Sequence, residues 1–428
     1  MKTFHRDIII TLIANLITKP LWILADNLVQ NRIGHTSYGL IGALLGLGQW
    51  AIAIGDWGLY ALITREMAQQ PRLYPSLIAS TLTLKVWLTL FTLLLFLGLG
   101  WILGYREKQL LWLFALVLYQ LSISYIQFFR AYFQGTQQFR IDALLSAVEK
   151  AIVVLLIFLA WQFLKDDIYV SILVLAGITS ASLAGVWVWR RYGIPRWERN
   201  TQVLWQVFRH MTPFALLSYA SAVNERLNQI LLERWLGAYE NGLYCGAYRW
   251  FSAAMMYLWI VMPLFFARFA QLGPQRSPEL PRTFVWGHLV AALPLILVGG
   301  IFIGEPKLFL VLFTHSTPQE IDQMSQILQV MSVPLMINGI FIIYSTYLTA
   351  LGYEWVAFWW VVGSALLNGI TCLLSLPALK GVGATLGLAA SYLLQGIGFT
   401  FHFAKVSPFL PPTHVLVRLG VLGIAYGG

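Results

Sequence analysis

The run Ser218–Gly237, SYASAVNERLNQILLERWLG, sets Asn224, Glu225, Arg226, Asn228 and Gln229 almost side by side in an apolar neighbourhood. At helical spacing Ser218, Ser221, Glu225 and Asn228 share one face, and Tyr219, Arg226, Gln229 and Glu233 share an adjacent one. An arc that wide does not face lipid; it faces other helices or water. Other apolar runs carry Lys19 and Asp26, Asp56, Lys85, Glu149 with Lys150, and Arg249. Asn15, Lys19, Trp22 and Asp26 form a helical stripe, and Pro20 frees backbone carbonyls beside Lys19. Ionisable groups at membrane depth are costly unless paired or hydrated, so each is a candidate for function. A deep cation needs an anion, which a protein carboxylate or a ligand phosphate can supply. Lys19, Arg226 and Arg249 are the candidates for binding an anionic ligand. Asp56 and Glu149 read first as structural ties, Asp56 to Lys85, Lys19 or a loop arginine.

These residues must be positioned by membrane helices. Hydrophobic residues make up 58% of the 428-residue chain and charged residues only 11%, against about 25% charged in soluble proteins. A span needs about 20 apolar residues, which predicts an all-α polytopic protein of about twelve spans. The expected spans lie near 8–27, 39–63, 76–103, 109–130, 143–164 and 168–189. A second set lies near 211–233, 242–267, 284–313, 324–350, 355–376 and 383–404. The short alternating segments of a β-barrel are absent. Lys and Arg concentrate in alternate loops, including Arg65, Arg72, Arg130, Arg140, Arg190, Arg191, Arg268 and Arg282, which places the N-terminus in the cytoplasm. The net charge of +10 thus fits basic loops beside anionic lipid, and no soluble basic domain exists to bind nucleic acid.

The longest polar insertion, Arg190–Met211, interleaves arginines with Trp197, Trp205 and Phe208, a composition suited to the membrane surface. It divides the chain into an N-lobe (1–190), a cytoplasmic linker (191–210), a C-lobe (211–405) and a tail (406–428) that begins a further apolar segment. The lobes look like repeats. Leu28–Ala43 aligns with Leu231–Gly246, carrying Gly34 and Gly39 onto Gly237 and Gly242 at one offset. These glycines predict a tight turn between the first and second span of each half. Six spans per half is a parallel repeat, the plan of many alternating-access transporters, with two lobes around a central cavity.

No catalytic pattern competes. The seven histidines are scattered, and HExxH, P-loop and GxSxG motifs and acidic metal clusters are absent, so neither an enzyme nor a bound cofactor is expected. Cys245 and Cys372 sit in apolar runs without metal-ligand spacing. The opening MKTFHRD leads straight into an apolar segment without a small-residue cleavage site.

Several stretches resemble one family. IGHTSYGLIGALLGLGQWAIAIGDWGLYALITREMA (Ile33–Ala68) is similar to the start of the oligosaccharide flippases of polysaccharide biosynthesis, the O-antigen type. These belong to the multidrug/oligosaccharidyl-lipid/polysaccharide exporter superfamily. FRAYFQGTQQF (Phe129–Phe139) resembles the family's end of span four, and LGAYENGLYCGAYRW (Leu236–Trp250) its opening of span eight. The resemblance implies a two-lobed transporter with a central cationic cavity in a bacterial plasma membrane. It would flip an undecaprenyl-diphosphate-linked sugar unit to the outer leaflet, beside membrane lipids and other polysaccharide assembly proteins. Carried over from the family, Lys19, Arg65 and Arg249 would bind the diphosphate. Arg226, Asn224 and Asn228 join them from the stripe analysis. Proton or sodium coupling would fall to Asp26, Asp56 or Glu225. Two alternatives stay open: a cation-coupled multidrug or small-molecule exporter of the same superfamily, and a membrane enzyme or subunit of polysaccharide assembly.

Overall fold

A computed structural model describes residues 21–69, 74–136, 138–193, 197–272 and 277–407. Lys19 and Pro20, and the tail from 408 onward, lie outside the described residues. The described elements are helical: α1 (residues 21–33), α2 (His35–Asp56), α3 (Leu59–Gln69), α4 (Tyr74–Ile102), α5 (Glu107–Gly135), α6 (Phe139–Leu159) and α7 (Asp166–Tyr192). Then follow α8 (Thr201–Leu236), α9 (Ala238–Leu272), α10 (Leu280–Gly304), the short α11 (Lys307–Leu310), α12 (Pro318–Ala350) and α13 (Glu354–Val406). Seven of them are long and apolar enough to cross a membrane. α13, at 53 residues, is two helices joined at Lys380, where φ is 48° and ψ −126°. The chain forms two compact units, Met1–Ala222 and Val223–Gly428.

Polarity is arranged inside out. On α4, Trp87 and Leu94 are 64% and 72% exposed, while Lys85, Thr81 and Thr92 are fully buried. Apolar surface is what a bilayer requires on the outside, and backbone and side-chain polar groups must be satisfied within. The hydroxyls comply by bonding to their own helix: Thr89 donates to the Lys85 carbonyl at 2.7 Å and Thr92 to that of Leu88 at 2.6 Å.

Three element boundaries differ from the expected spans. The segment 39–63 is broken at Trp57 and Gly58, which have φ of 44° and 79°. A Cβ on Gly58 would lie 3.3 Å from the Met211 carbonyl oxygen, so the break lets the α8 backbone press directly on it. The Trp57 indole N–H reaches Thr212 Oγ1 at 3.4 Å. The segment 284–313 stops at Gly304 because Pro306 follows and cannot continue the hydrogen-bond ladder. The second half of the linker is helical: α7 ends at Gly193 (φ 87°), and α8 starts after Asn200, whose side chain accepts from the Gln202 N–H at 3.0 Å.

In the first unit α3, α5 and the start of α8 share a core of Leu59, Ile63, Phe128, Tyr132 and Met211. In the second, Phe284, Tyr344, Tyr347 and Phe403 interlock edge to face or stacked, with centroids 4.6–5.9 Å apart. Of the glycines expected to turn the chain, Gly34 (φ 85°) and Gly237 (φ 92°) do so, whereas Gly39 and Gly242 lie inside α2 and α9.

Candidate functional site

In the first unit the buried charges are held by hydrogen bonds or ion pairs within the unit. Asp26, 7% exposed, accepts from the Tyr38 hydroxyl at 2.5 Å and the Tyr169 hydroxyl at 2.6 Å. The two rings lie 6.5 Å apart, 25° from parallel, so α2 and α7 jointly hold the carboxylate that α1 supplies. Lys85 is fully buried. Its ammonium is 3.4 Å from Asp56 Oδ1, 2.5 Å from Ser124 Oγ, and 5.4 Å from the Tyr125 ring centroid. Lys150 pairs with Glu149 at 2.8 Å and sits 5.1 Å from the Trp22 ring. Arg65 lies on α3, but its side chain is outside the described residues.

In the second unit, Asn224 and Asn228 are 2% and 1% exposed and are engaged by α13. Asn368 donates to Asn224 Oδ1 at 3.1 Å, Ser391 donates to the same oxygen at 2.9 Å, and Asn228 donates to the Ala384 carbonyl. That half of the predicted stripe is a helix–helix polar clamp. The other half differs. Glu225 and Arg226 are half-buried. Arg226 stands 5.2 Å over the Tyr248 ring and donates to Gln229 Oε1 at a long 3.4 Å. Its Nε is buried with no hydrogen-bond partner. Among the described residues Arg226 makes no ion pair. Tyr248 in turn donates to the Glu225 carbonyl at 3.2 Å. The next residue of α9, Arg249, is 8% exposed.

A guanidinium offers five donors in a planar fork. Here one face rests on an aromatic ring and one donor has a neutral partner, leaving the fork able to take an oxyanion. The structure thus brings Arg226 together with Glu225 and Tyr248, and turns Asn224 and Asn228 to α13. Nothing in the spacing of the sequence marks Tyr38, Tyr169, Ser124, Tyr248, Asn368 or Ser391 as partners of these groups. Tyr38 and Tyr248 do stand in the quoted family stretches, whereas the partners on α5, α7 and α13 depend on tertiary packing. Among the described residues no group of three or more His, Cys, Asp or Glu could hold a metal ion.

The sequence matches the family described as "Polysaccharide biosynthesis protein" over residues 4–268. No curated protein matches it. Among solved structures, an inward-facing multidrug resistance MATE family transporter of the MOP superfamily superposes with a TM-score of 0.73, at 13% identity, covering 90% of this chain and 94% of that one. An outward-facing MATE transporter gives 0.70 at 13% identity, covering 94% and 95%. A MOP superfamily transporter from Pyrococcus furiosus gives 0.69 at 15% identity, covering 95% and 96%; the reverse polarity of its binding pocket is described as suggesting a different function. At such identities the likeness establishes the shared fold.

Proposed function

We propose, from the premise that the chain belongs to the polysaccharide biosynthesis protein family, that it flips a polyprenyl-diphosphate-linked oligosaccharide from the cytoplasmic to the outer leaflet of a bacterial plasma membrane. The observation that carries this reading is Arg226: a half-buried guanidinium with an orphaned Nε and, among the described residues, no carboxylate within ion-pair distance. Such a group is stable at membrane depth if its counter-ion arrives with the cargo. A diphosphate is the matching cargo, because it cannot enter hydrocarbon without a substitute for its hydration. Arg249, and by family resemblance Lys19 and Arg65, complete the cationic set.

The cycle follows from alternating access. The diphosphate binds from the cytoplasmic side while the polyprenyl chain stays in lipid, and rocking of one half against the other exposes it outward. Proton or sodium movement supplies the energy through Asp26 or Glu225. Asp56, tied to Lys85, is the weakest of the three coupling candidates. The fold and the motifs favour a transporter over an enzyme, with other polysaccharide assembly proteins as partners.

The test is flipping of lipid-linked oligosaccharide in proteoliposomes made with the wild-type and Arg226→Ala proteins. Loss of one charge-assisted hydrogen bond, about 1.5–3 kcal/mol, lowers flipping roughly ten- to a hundredfold. Arg226→Lys recovers part of it. Wild-type flipping in Arg226→Ala, or efflux of cationic dyes in place of the lipid, would overturn the assignment.

A further inference from the structure

We propose that the connector between α7 and α8 is a docking strip for the headgroups of anionic phospholipids, independent of the transport site. Arg190, Arg191, Arg199 and Arg209 are exposed there. None of the four forms an ion pair among the described residues. Trp197 and Trp205 between them are 60% and 63% exposed. Several exposed basic residues elsewhere are satisfied within the protein. Lys108 pairs with Asp167 at 2.8 Å, Arg268 with Glu279 at 2.9 Å and Lys307 with Asp322 at 2.7 Å. Arg106 donates to the Trp101 carbonyl at 2.6 Å and lies 5.0 Å from the ring of that tryptophan. The connector's own acid, Glu198, is turned back on the Asn200 N–H at 2.8 Å. The strip therefore presents uncompensated positive charge.

Its geometry selects a membrane surface as the partner. The Glu198 N–H donates to Thr83 Oγ1 at 3.1 Å, which pins the connector beside α4, well inside that helix. The first turns of α8 pack Leu204, Val207, Phe208 and Met211 against the core, while Thr201, Trp205 and Arg209 point away at i, i+4 spacing. Indole rings settle at headgroup depth and guanidinium forks grip phosphates in two-point contacts. Arginine next to exposed tryptophan is thus matched to a layer of phosphate at the edge of hydrocarbon. Trp205 stacks on Phe208 at 5.7 Å and 19°, and Phe208 stacks on Trp57 at 5.4 Å and 6°. Headgroups held on the strip therefore brace the break in the second span through three stacked rings.

The full chain, purified in neutral detergent, tests this by its melting temperature and by retained lipid measured by mass spectrometry after adding phosphatidylglycerol or phosphatidylcholine. Phosphatidylglycerol should raise the melting temperature and be retained, and about 0.5 M salt should suppress both effects. Arg199→Gln/Arg209→Gln should lose at least half of each, with Arg190→Gln/Arg191→Gln as the second pair should the first fail to fold. Arg106→Gln should change neither. An equal shift from phosphatidylcholine, or full retention of phosphatidylglycerol by a folded double variant, overturns the proposal.

Discussion

The two halves of the chain keep the same turns and carry different interiors. At the offset that places Gly34 on Gly237, the start of α2 at His35 falls on the start of α9 at Ala238, and the end of α3 at Gln69 falls on the end of α9 at Leu272. At that same offset Asp26 meets Gln229, Asp56 meets Trp259 and Lys85 meets His288. Charges in the first unit are thus replaced by neutral residues in the second. Lys85 has its carboxylate, whereas His288, 4% exposed, has both ring nitrogens buried and unpartnered among aromatic neighbours. The first unit compensates its buried charge internally. The second places its ion pairs near helix ends, Arg234 with Glu233 and Lys380 with Glu240, and leaves Arg226 for something else to neutralise. At these matched positions the halves share the glycine turn and differ in charge, and the first half is broken at Trp57–Gly58 where α9 runs unbroken.

The largest effect should come from exchanging these interiors. His288→Lys puts an ammonium where no carboxylate waits, and should destabilise the protein by about 3–5 kcal/mol, read as lost folded yield or a lower melting temperature. Asp56→Asn should cost about the same, since it leaves Lys85 buried with Ser124. Next are the turns. Gly34→Ala and Gly237→Ala should each cost about 1–3 kcal/mol. A Cβ at either site meets nothing within 4 Å, so the cost is conformational and should be equal in the two halves. Unequal losses would break the comparison. Arg226→Leu should lower the melting temperature little, because no ion pair is lost, while its transport falls. The smallest effect is expected for His288→Phe, which removes two unsatisfied nitrogens worth about 1–3 kcal/mol when buried and should leave stability unchanged or raised.

The polytopic helical class and the glycine turns were readable from the sequence, because span length and positive φ leave direct marks on composition. That Asp56 needed a cationic partner was readable too, with Lys85 one of several choices; the structure selects Lys85. Helix breaks were harder. Trp57–Gly58 lies within a long apolar segment whose only charged residue is Asp56, and the approach of Met211 accounts for the break. The stripe of span seven showed which residues share a face but not what each face meets. Asn224 and Asn228 lie against a helix some 150 residues away in sequence, and helical periodicity carries no information about such partners. Arg226 differs from them in its surroundings rather than in its spacing.

At Gly58 an added Cβ would meet the Met211 carbonyl oxygen at 3.3 Å, so the α8 backbone lies close behind the break with no Gly58 side chain between. Side chains ordinarily act as cushions, changing rotamer to absorb small displacements of a neighbour. Without one, a shift of the first half of α8 passes undamped into the middle of the second span, so any bulkier residue at this point would loosen a mechanical linkage as well as strain a turn.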